Sequence, residues 1–299
     1  MPVIYRPARL EDLPRAGELV VRSMNDLSGR HGFGPMATVR PPDFSVFSLG
    51  DDPDGLWVAE DADELLGFGF SWVCGDLWFL AQLFVSPGQQ GHGIGHELLK
   101  RTYEHAEKTK ATVKALITFT FNSVSQGLYI RHGLFPRCPI YNFEVAREAV
   151  VSNSRGALLR CAPLKNTVSH LRSLAKIDEQ ALGISRAKHH RFLIDDGKTR
   201  GVLLYMGDDC VGYAYIADGH IGPLAVTRKD SLGAALGTAL SLAAEGTSAQ
   251  LSAFIPGFSE TALSVAMEHG MKITMPMVLM STHDFGNWTQ YLPRNPGFM

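Results

Sequence analysis

The first half of the chain alternates short apolar runs with amphipathic stretches in a fixed order. A strand-like run over residues 3–8 is followed by Glu11, Asp12 and Pro14, which mark a helix start. Later β-like runs surround a glycine-rich turn and two helical patterns, and this order predicts a layered α/β (α+β) domain. The predicted strands cover 56–60, 65–74, 77–85, 115–120 and 139–145. One predicted helix follows the glycine-rich turn and ends near residue 110, and another covers residues 122–132.

The second half repeats this plan. Residues 211–215 (VGYAY) echo residues 66–70 (LGFGF), and residues 268–271 (EHGM) echo residues 131–134 (RHGL). A third echo, of 83–85 by 224–226, lies between them, and three echoes in the same order predict a tandem duplication. We expect domains over residues 1–148 and 157–299, joined by the polar stretch 149–156.

Composition narrows the class of protein. Of 299 residues 45% are hydrophobic, and 28 Lys+Arg against 30 Asp+Glu leave a net charge of −2. This balance gives no general field for nucleic acid or an anionic membrane, so we expect neither partner. No segment is typical of a signal peptide or a membrane span, which predicts a cytoplasmic location. The four cysteines, none in a C-x-x-C pair, predict no structural zinc site: Cys74, Cys138, Cys161 and Cys210.

The segment with most chemical information is LFVSPGQQGHGIGHELL at residues 83–99. A strand ends, a glycine-rich loop follows, and a helix begins, so backbone N–H groups and the helix dipole can together bind a pyrophosphate. No Gly-Lys-Ser/Thr follows the glycines, and they come after the fourth strand rather than the first, so neither a Walker loop nor a dinucleotide fingerprint fits. The alternative to a phosphate-binding loop is a glycine-rich strand-to-helix turn that binds no ligand.

Two motifs carry a family resemblance. The pattern Q-x-x-G-x-G at residues 90–95 resembles the acyl-CoA loop of the GNAT superfamily of N-acetyltransferases. Residues 122–134 are similar to that family's N-x-x-x-x-x-L-Y-x-x-x-G-F pattern, and the resemblance covers about residues 3–147. It implies two tandem GNAT-like domains, each a mixed, mostly antiparallel sheet flanked by helices.

The resemblance implies acetyl-CoA as the acyl-donor substrate. The fourth strand would line the pantetheine arm, the loop and helix start would hold the phosphates, and the second motif would meet the thioester. These cofactor-binding residues are Leu83, Phe84, Val85, Gln90, Gly91, His92, Gly93, Ile94, Gly95, His96, Asn122 and Tyr129.

In such a family the acceptor amine attacks the thioester directly in a ternary complex. The resemblance makes Tyr129 the general acid for the departing thiolate, the alternative being an aromatic residue of the core. Asn122 caps its helix, contacts the substrate, or does both. Gln82 stands where many members carry a carboxylate; an amide cannot serve as a base, so we expect it to orient the substrate or a water. The base itself is not located in the sequence.

The histidines predict no metal site. His92 and His96 have i,i+4 spacing, but no third ligand stands near them. His189 and His190 are interpreted as a solvated helix end.

The second half keeps the pattern of elements but loses the chemistry. Its loop, residues 227–234, lacks the glycine pattern, and Ala266 stands where Tyr129 would be expected. We therefore expect a degenerate domain that supports the first and builds part of the substrate cleft. Residues 283–299 are too aromatic for a free tail, so we expect them to pack on a domain surface or a neighbouring chain.

The sequence thus predicts an acetyl-CoA-dependent N-acetyltransferase with its active site in the first domain. Two alternatives stay open: a catalytically silent acyl-CoA sensor, and an enzyme whose activity lies in the second domain. The acceptor is an amine of a small molecule or peptide that the sequence does not select, and the chain is expected to be a monomer or a homodimer.

Overall fold

The computed structural model describes residues 2–62, 64–152 and 159–299. The chain folds into two compact units: unit 1 comprises residues up to 116 and 121–135, and unit 2 comprises 117–120 and 136–299. The domain bounds 1–148 and 157–299, drawn from the sequence, stay a prediction about the two family-like halves.

Unit 1 is built on a sheet with the order β1-β2-β3-β4-β5. Its neighbouring strands are antiparallel, except that β4 and β5 run parallel. The elements are β1 Ile4–Pro7, α1 Asp12–Arg30, α2 Asp43–Asp51, β2 Leu56–Asp61, β3 Glu64–Cys74, β4 Leu77–Val85, α3 Ile94–Lys108, β5 Val113–Phe119 and α4 Ser123–Arg131.

Unit 2 repeats this order as β7-β8-β9-β10-β11, with β10 and β11 parallel, and then adds β6 beside β11 and β12 beside β6. Its elements are β6 Phe135–Ala146, α5 Arg147–Ser152, β7 Arg160–Pro163, α6 Val168–Leu182, α7 Ala187–Asp195, β8 Arg200–Met206, β9 Asp209–Ala217, β10 His220–Val226, α8 Leu232–Ala244, β11 Gln250–Pro256, α9 Glu260–Glu268, β12 Lys272–Ser281 and β13 Tyr291–Leu292. Both units are mixed, mostly antiparallel sheets with helices, which confirms the predicted fold class.

The duplication is visible in the register of the strands. Leu83 of β4 pairs with Gly69, and Leu224 of β10 pairs with Ala214 at the corresponding place. Each pairing carries a register shift a few residues earlier, between Phe70 and Ser71 for β3 and between residues 221 and 224 for β10. The two units therefore share the pairing of these strands as well as their order.

The helices of the second motif match in the same way. Asn122 caps α4 by accepting a hydrogen bond from the N–H three residues on, at 3.2 Å, and Ser259 caps α9 likewise at 3.3 Å. The Nδ1 atoms of His132 and His269 each lie 2.9 Å from the carbonyl oxygen four residues back. The predicted capping role of Asn122 is confirmed.

Three sequence expectations need qualification. Helix α2 was missed because its short, phenylalanine-rich sequence has no clear amphipathic period. The first part of the predicted linker 149–156 lies in helix α5, and residues 153–156 lie outside the described residues. The interpretation of His189 and His190 as solvated is wrong, because both are 1% exposed: the inner face of α7 packs into unit 2.

The aromatic segment (residues 283–299) packs against unit 2, as predicted. Trp288, Tyr291 and Phe298 are all buried. Arg186 lies over the ring of Tyr291 at 5.0 Å, and His189 contacts the ring of Phe298 at the same distance. A large aromatic surface is thereby removed from water.

Candidate active site

Strand β4 leaves its neighbour β5 halfway along its length. The parallel pairing joins only Leu77–Leu80 to Val113–Leu116. Phe70 pairs with Gln82 and the next residue of β3 pairs with Leu80, so Ala81 is an extra, bulged residue. The pairing with β5 ends at this bulge, and Leu83, Phe84 and Val85 at the end of β4 line a cavity.

The backbone of that part of β4 has a defined orientation. The N–H of Ser86 donates to Leu66 O of β3 at 2.8 Å. Because backbone groups alternate along a strand, the N–H groups of Leu83 and Val85 face the opposite edge, where the cavity lies. The carbonyl of Val85 accepts from Ser23 Oγ at 3.1 Å and from Gln90 Nε2 at 3.3 Å.

The glycine-rich loop brings a helix N-terminus to the same cavity. Gly91 and Gly93 both adopt a φ of 84°, a conformation that favours glycine, and Gly93 is the N-cap residue of α3. The first N–H groups of a helix have no partner within it, so those of Ile94, Gly95 and His96 are available to an anion. The helix dipole adds partial positive charge there.

Close packing of helix α3 on β3 fixes this loop. A Cβ at Gly67 would lie 2.7 Å from Leu98 Cδ1 and 3.2 Å from the carbonyl oxygen of Phe84. Ile94 and Leu98 are buried in the core cluster that includes Leu66. The helix start is therefore held against the end of β4.

The cavity in unit 1 has a volume of about 290 Å³. Arg30 and Arg131 supply cationic side chains, and His31 and His96 stand beside them; none of the described residues lining it is acidic. It therefore suits an anionic ligand that also has an extended part. Its lining comprises Ser23, Leu27, Arg30, His31, Leu83, Phe84, Val85, Gln89, Gln90, Gly91, Gly93, Ile94, Gly95, His96, Phe121, Asn122, Ser123, Val124, Ser125, Leu128 and Arg131.

Three of the predicted site residues lie outside the lining. Gln82 is half-buried on β4, His92 is exposed on the loop, and Tyr129 is 5% exposed on α4. Burial raises the pKa of the Tyr129 phenol, and a hydrogen bond with Ser125 acts in the opposite direction. The predicted residues Leu83, Phe84, Val85, Gln90, Gly91, Gly93, Ile94, Gly95, His96 and Asn122 do line the cavity.

Sequence reasoning missed the contribution of α1 and of the residues just after it. Ser23 and Arg30 lie on this helix, and His31 follows it, yet all three meet the glycine-rich loop in space. Arg30 Nη2 donates to Gln90 Oε1 at 3.4 Å, across sixty positions of sequence. No local motif marks such a residue.

A second arrangement in unit 1 has the residue types of a nucleophilic triad. Ser71 Oγ lies 3.0 Å from His105 Nδ1, and His105 Nε2 lies 2.8 Å from Asp52 Oδ2. Ser71 and His105 are each 1% exposed, so no substrate reaches the hydroxyl. The hydrogen bonds connect β3 and α3 to the residues after α2, and we assign them a structural role.

The described part of unit 2 lacks this chemistry at the corresponding place. Ala266 is fully buried on α9, where α4 carries Tyr129. The loop after β10 contains Arg228 and Lys229 instead of the glycine pattern.

Comparison with known proteins finds a family match over part of the chain. Residues 25–134 match the model of the acetyltransferase (GNAT) family, and this stretch contains both motifs and most of the cavity lining. Residues 25–134 thus match a GNAT acetyltransferase domain, which supports acyl transfer as the activity. Members of this family use an acyl-CoA donor and act on amine acceptors.

Solved structures of the same fold extend over nearly the whole chain. A proposed acetyltransferase from Pyrococcus horikoshii is 19% identical with a TM-score of 0.79, covering 99% of this chain and 96% of that one. A GCN5-related N-acetyltransferase from Sphaerobacter thermophilus is 14% identical with a TM-score of 0.66, covering 96% and 98%. A tandem GNAT protein of the clavulanic acid biosynthesis pathway is 14% identical with a TM-score of 0.62, covering 94% and 98%. At these identities the similarity shows the fold; no curated protein matches the chain.

Two kinds of feature are absent from the described residues. No helix there is long and apolar enough to cross a membrane. Within the same ranges, no group of three or more His, Cys, Asp or Glu side chains is placed to hold a metal ion.

Proposed function

We propose that the chain is an acetyl-CoA-dependent N-acetyltransferase whose donor occupies the cavity of unit 1. One observation carries this proposal: the outward-facing edge of β4, the N-terminus of α3 and the side chains of Arg30 and Arg131 meet in one cavity. An extended amide-containing arm can pair with a strand edge, and phosphates fit a helix N-terminus beside two guanidinium groups.

The donor supplies a thioester, whose acetyl group passes to the acceptor. The new C–N bond replaces the C–S bond, the amine nitrogen loses a proton, and the sulfur gains one. We assign protonation of the sulfur to Tyr129, whose buried phenol keeps its proton at neutral pH. We assign orientation of the acceptor, or of a water that takes its proton, to the Gln82 amide.

The acceptor is an amine of a small molecule or of a peptide. A screen of candidate amines for acetylation would identify which amine it is.

Calorimetric titration with acetyl-CoA tests the location of the donor. We expect wild type to bind about one acetyl-CoA per chain and Gly93→Asp to lose binding, because a carboxylate at the start of α3 repels phosphates. Gly93→Asn imposes a similar backbone strain without the charge and should retain most of the affinity. Gly75→Asp makes the same change at another glycine of positive φ, at the far end of β4, and should bind as wild type does.

The alternatives predict different results. Loss of binding in Gly93→Asn as well as Gly93→Asp would mean that backbone strain, not charge, explains the effect. Binding without turnover of any amine would favour the sensor. Turnover that survives in Gly93→Asp would place the activity in unit 2.

A further inference from the structure

The corresponding strand edge in unit 2 is already occupied by the chain itself. Strand β13 pairs antiparallel with β10, with Leu292 opposite Leu224 and Tyr291 opposite Ala225. Gln290 extends the contact: its carbonyl accepts from the N–H of Val226 at 2.9 Å, and its Nε2 donates to the carbonyl of Val226 at 3.0 Å.

This edge is the counterpart of the β4 edge that lines the cavity in unit 1. Thr227 N–H donates to Val211 O at 2.8 Å, as Ser86 N–H does to Leu66 O. By the same alternation, the N–H groups of residues 224 and 226 face away from β9, as those of residues 83 and 85 face away from β3. In unit 2 that edge meets β13.

The sequence of β10 is adapted to the passing segment. A Cβ at Gly222 would lie 2.6 Å from Pro293 O and 2.8 Å from Arg294 Cα, both backbone atoms that cannot move independently of the segment. The corresponding residue of β4, one before Gln82, is Ala81, which carries a Cβ. Only glycine leaves room for a second backbone this close.

Further contacts hold the segment on both sides of β13. Arg294 Nη1 donates to Gly222 O at 3.2 Å, and the ring of His220 makes a short contact with the carbonyl of Arg294. Arg186, fully buried and paired with Asp178 at 3.2 Å, lies over the ring of Tyr291. These are the contacts of a bound peptide rather than of a loose tail.

We propose that the edge of β10 is a peptide slot whose ligand is the chain's own Gln290–Arg294, and that unit 2 therefore takes no acyl donor. The identification of this edge with a donor site rests on the proposed function of the β4 edge. The occupancy of the slot by the segment rests on the contacts above.

Amide hydrogen exchange of the full chain, measured residue by residue by NMR, tests the proposal. Without ligand, the N–H groups of Leu224 and Val226 should exchange at least about tenfold more slowly than those of Leu83 and Val85. Gln290→Ala removes one hydrogen bond to Val226 and should accelerate exchange at the β10 edge by about fivefold. Gln250→Ala, the same change at an exposed glutamine of β11, is the matched control and should change neither edge; unchanged exchange in β8 and β9 shows that unit 2 of both variants is folded.

Saturating acetyl-CoA provides the second arm. It should slow exchange at Leu83 and Val85 and leave Leu224 and Val226 unchanged. Equal exchange at the two edges without ligand, or a second acetyl-CoA that protects the β10 edge, would overturn the proposal. If acetyl-CoA protects neither edge, the proposed function of unit 1 fails, while the ligand-free comparison still decides whether the segment fills the slot.

Discussion

The phenol of Tyr129 illustrates how one residue can be both part of a core and a candidate acid. Its burial raises the pKa of the phenol, so it remains protonated over the whole physiological range. A group that must donate a proton to a thiolate is available in this form.

Replacement of Tyr129 by Phe should lower kcat by about a hundredfold, because a general acid contributes about that much, while the KM for the donor changes little. Steady-state kinetics on an amine found in the screen measures both. Tyr103→Phe, at a half-buried tyrosine of α3 whose hydroxyl donates to His132 O at 3.1 Å, is the control and should keep kcat. Equal losses in the two variants would remove the acid role from Tyr129.

His189 gives the stability of unit 2 a defined pH dependence. Burial, reinforced by the charge of Arg186, lowers the pKa of its imidazole well below 6.5. Below pH 6.5 the unfolded chain takes up a proton that the folded chain refuses, so this contribution is fully present above that pH and declines as the pH falls. Urea unfolding should show a shallower decline between about pH 6.5 and 5 in His189→Phe than in wild type. His283→Asn, at an exposed histidine, should follow wild type.

At the scale of elements, the contact of α3 with β3 sets the geometry of the loop. Gly67→Ala should lower the free energy of unfolding by about 1–3 kcal/mol, because the added methyl meets Leu98 and the Phe84 carbonyl at less than contact distance. At Gly17 on α1, an added methyl would have no atom within 4 Å, so Gly17→Ala should instead raise stability by about 0.5–1 kcal/mol. Denaturant titrations of both variants check the opposite signs; a neutral Gly67→Ala would show that α3 can shift.

Sequence patterns predicted best what is encoded locally. The strand, glycine loop and helix of residues 83–99 are contiguous, and the loop follows from backbone chemistry alone. The place of Arg30 in the cavity could not be predicted, because it depends on how α1 crosses the sheet. The burial of the aromatic segment followed from its composition, but its pairing with β10 is a long-range register that no local signal specifies.

At the scale of the whole molecule, the two copies use burial in opposite ways. Unit 1 keeps a cavity at the end of its fourth strand, and unit 2 fills the corresponding place and places ionised groups in its core. Arg186 pairs with Asp178 and also lies over the ring of Tyr291. This fully buried pair therefore couples the stability of unit 2 to the packing of the aromatic segment.

Arg186→Met should lower the free energy of unfolding by about 3–5 kcal/mol, because it leaves the Asp178 carboxylate buried without its cation. Adding Asp178→Leu should restore part of the loss, as both charges are then gone. Arg200→Met breaks an exposed pair with Glu245 and should cost no more than about 1 kcal/mol. Thermal denaturation of the three variants measures these differences, and equal effects at the two arginines would contradict this account of the core.

The glycine at residue 222 gives a way to classify tandem chains of this fold from sequence. Where a relative has glycine at this position together with an aromatic stretch some seventy residues later, its second half should be closed to ligands. Where the position carries a side chain, no second backbone can lie there, and both halves should be open. One position would then separate chains with a single working half from chains with two.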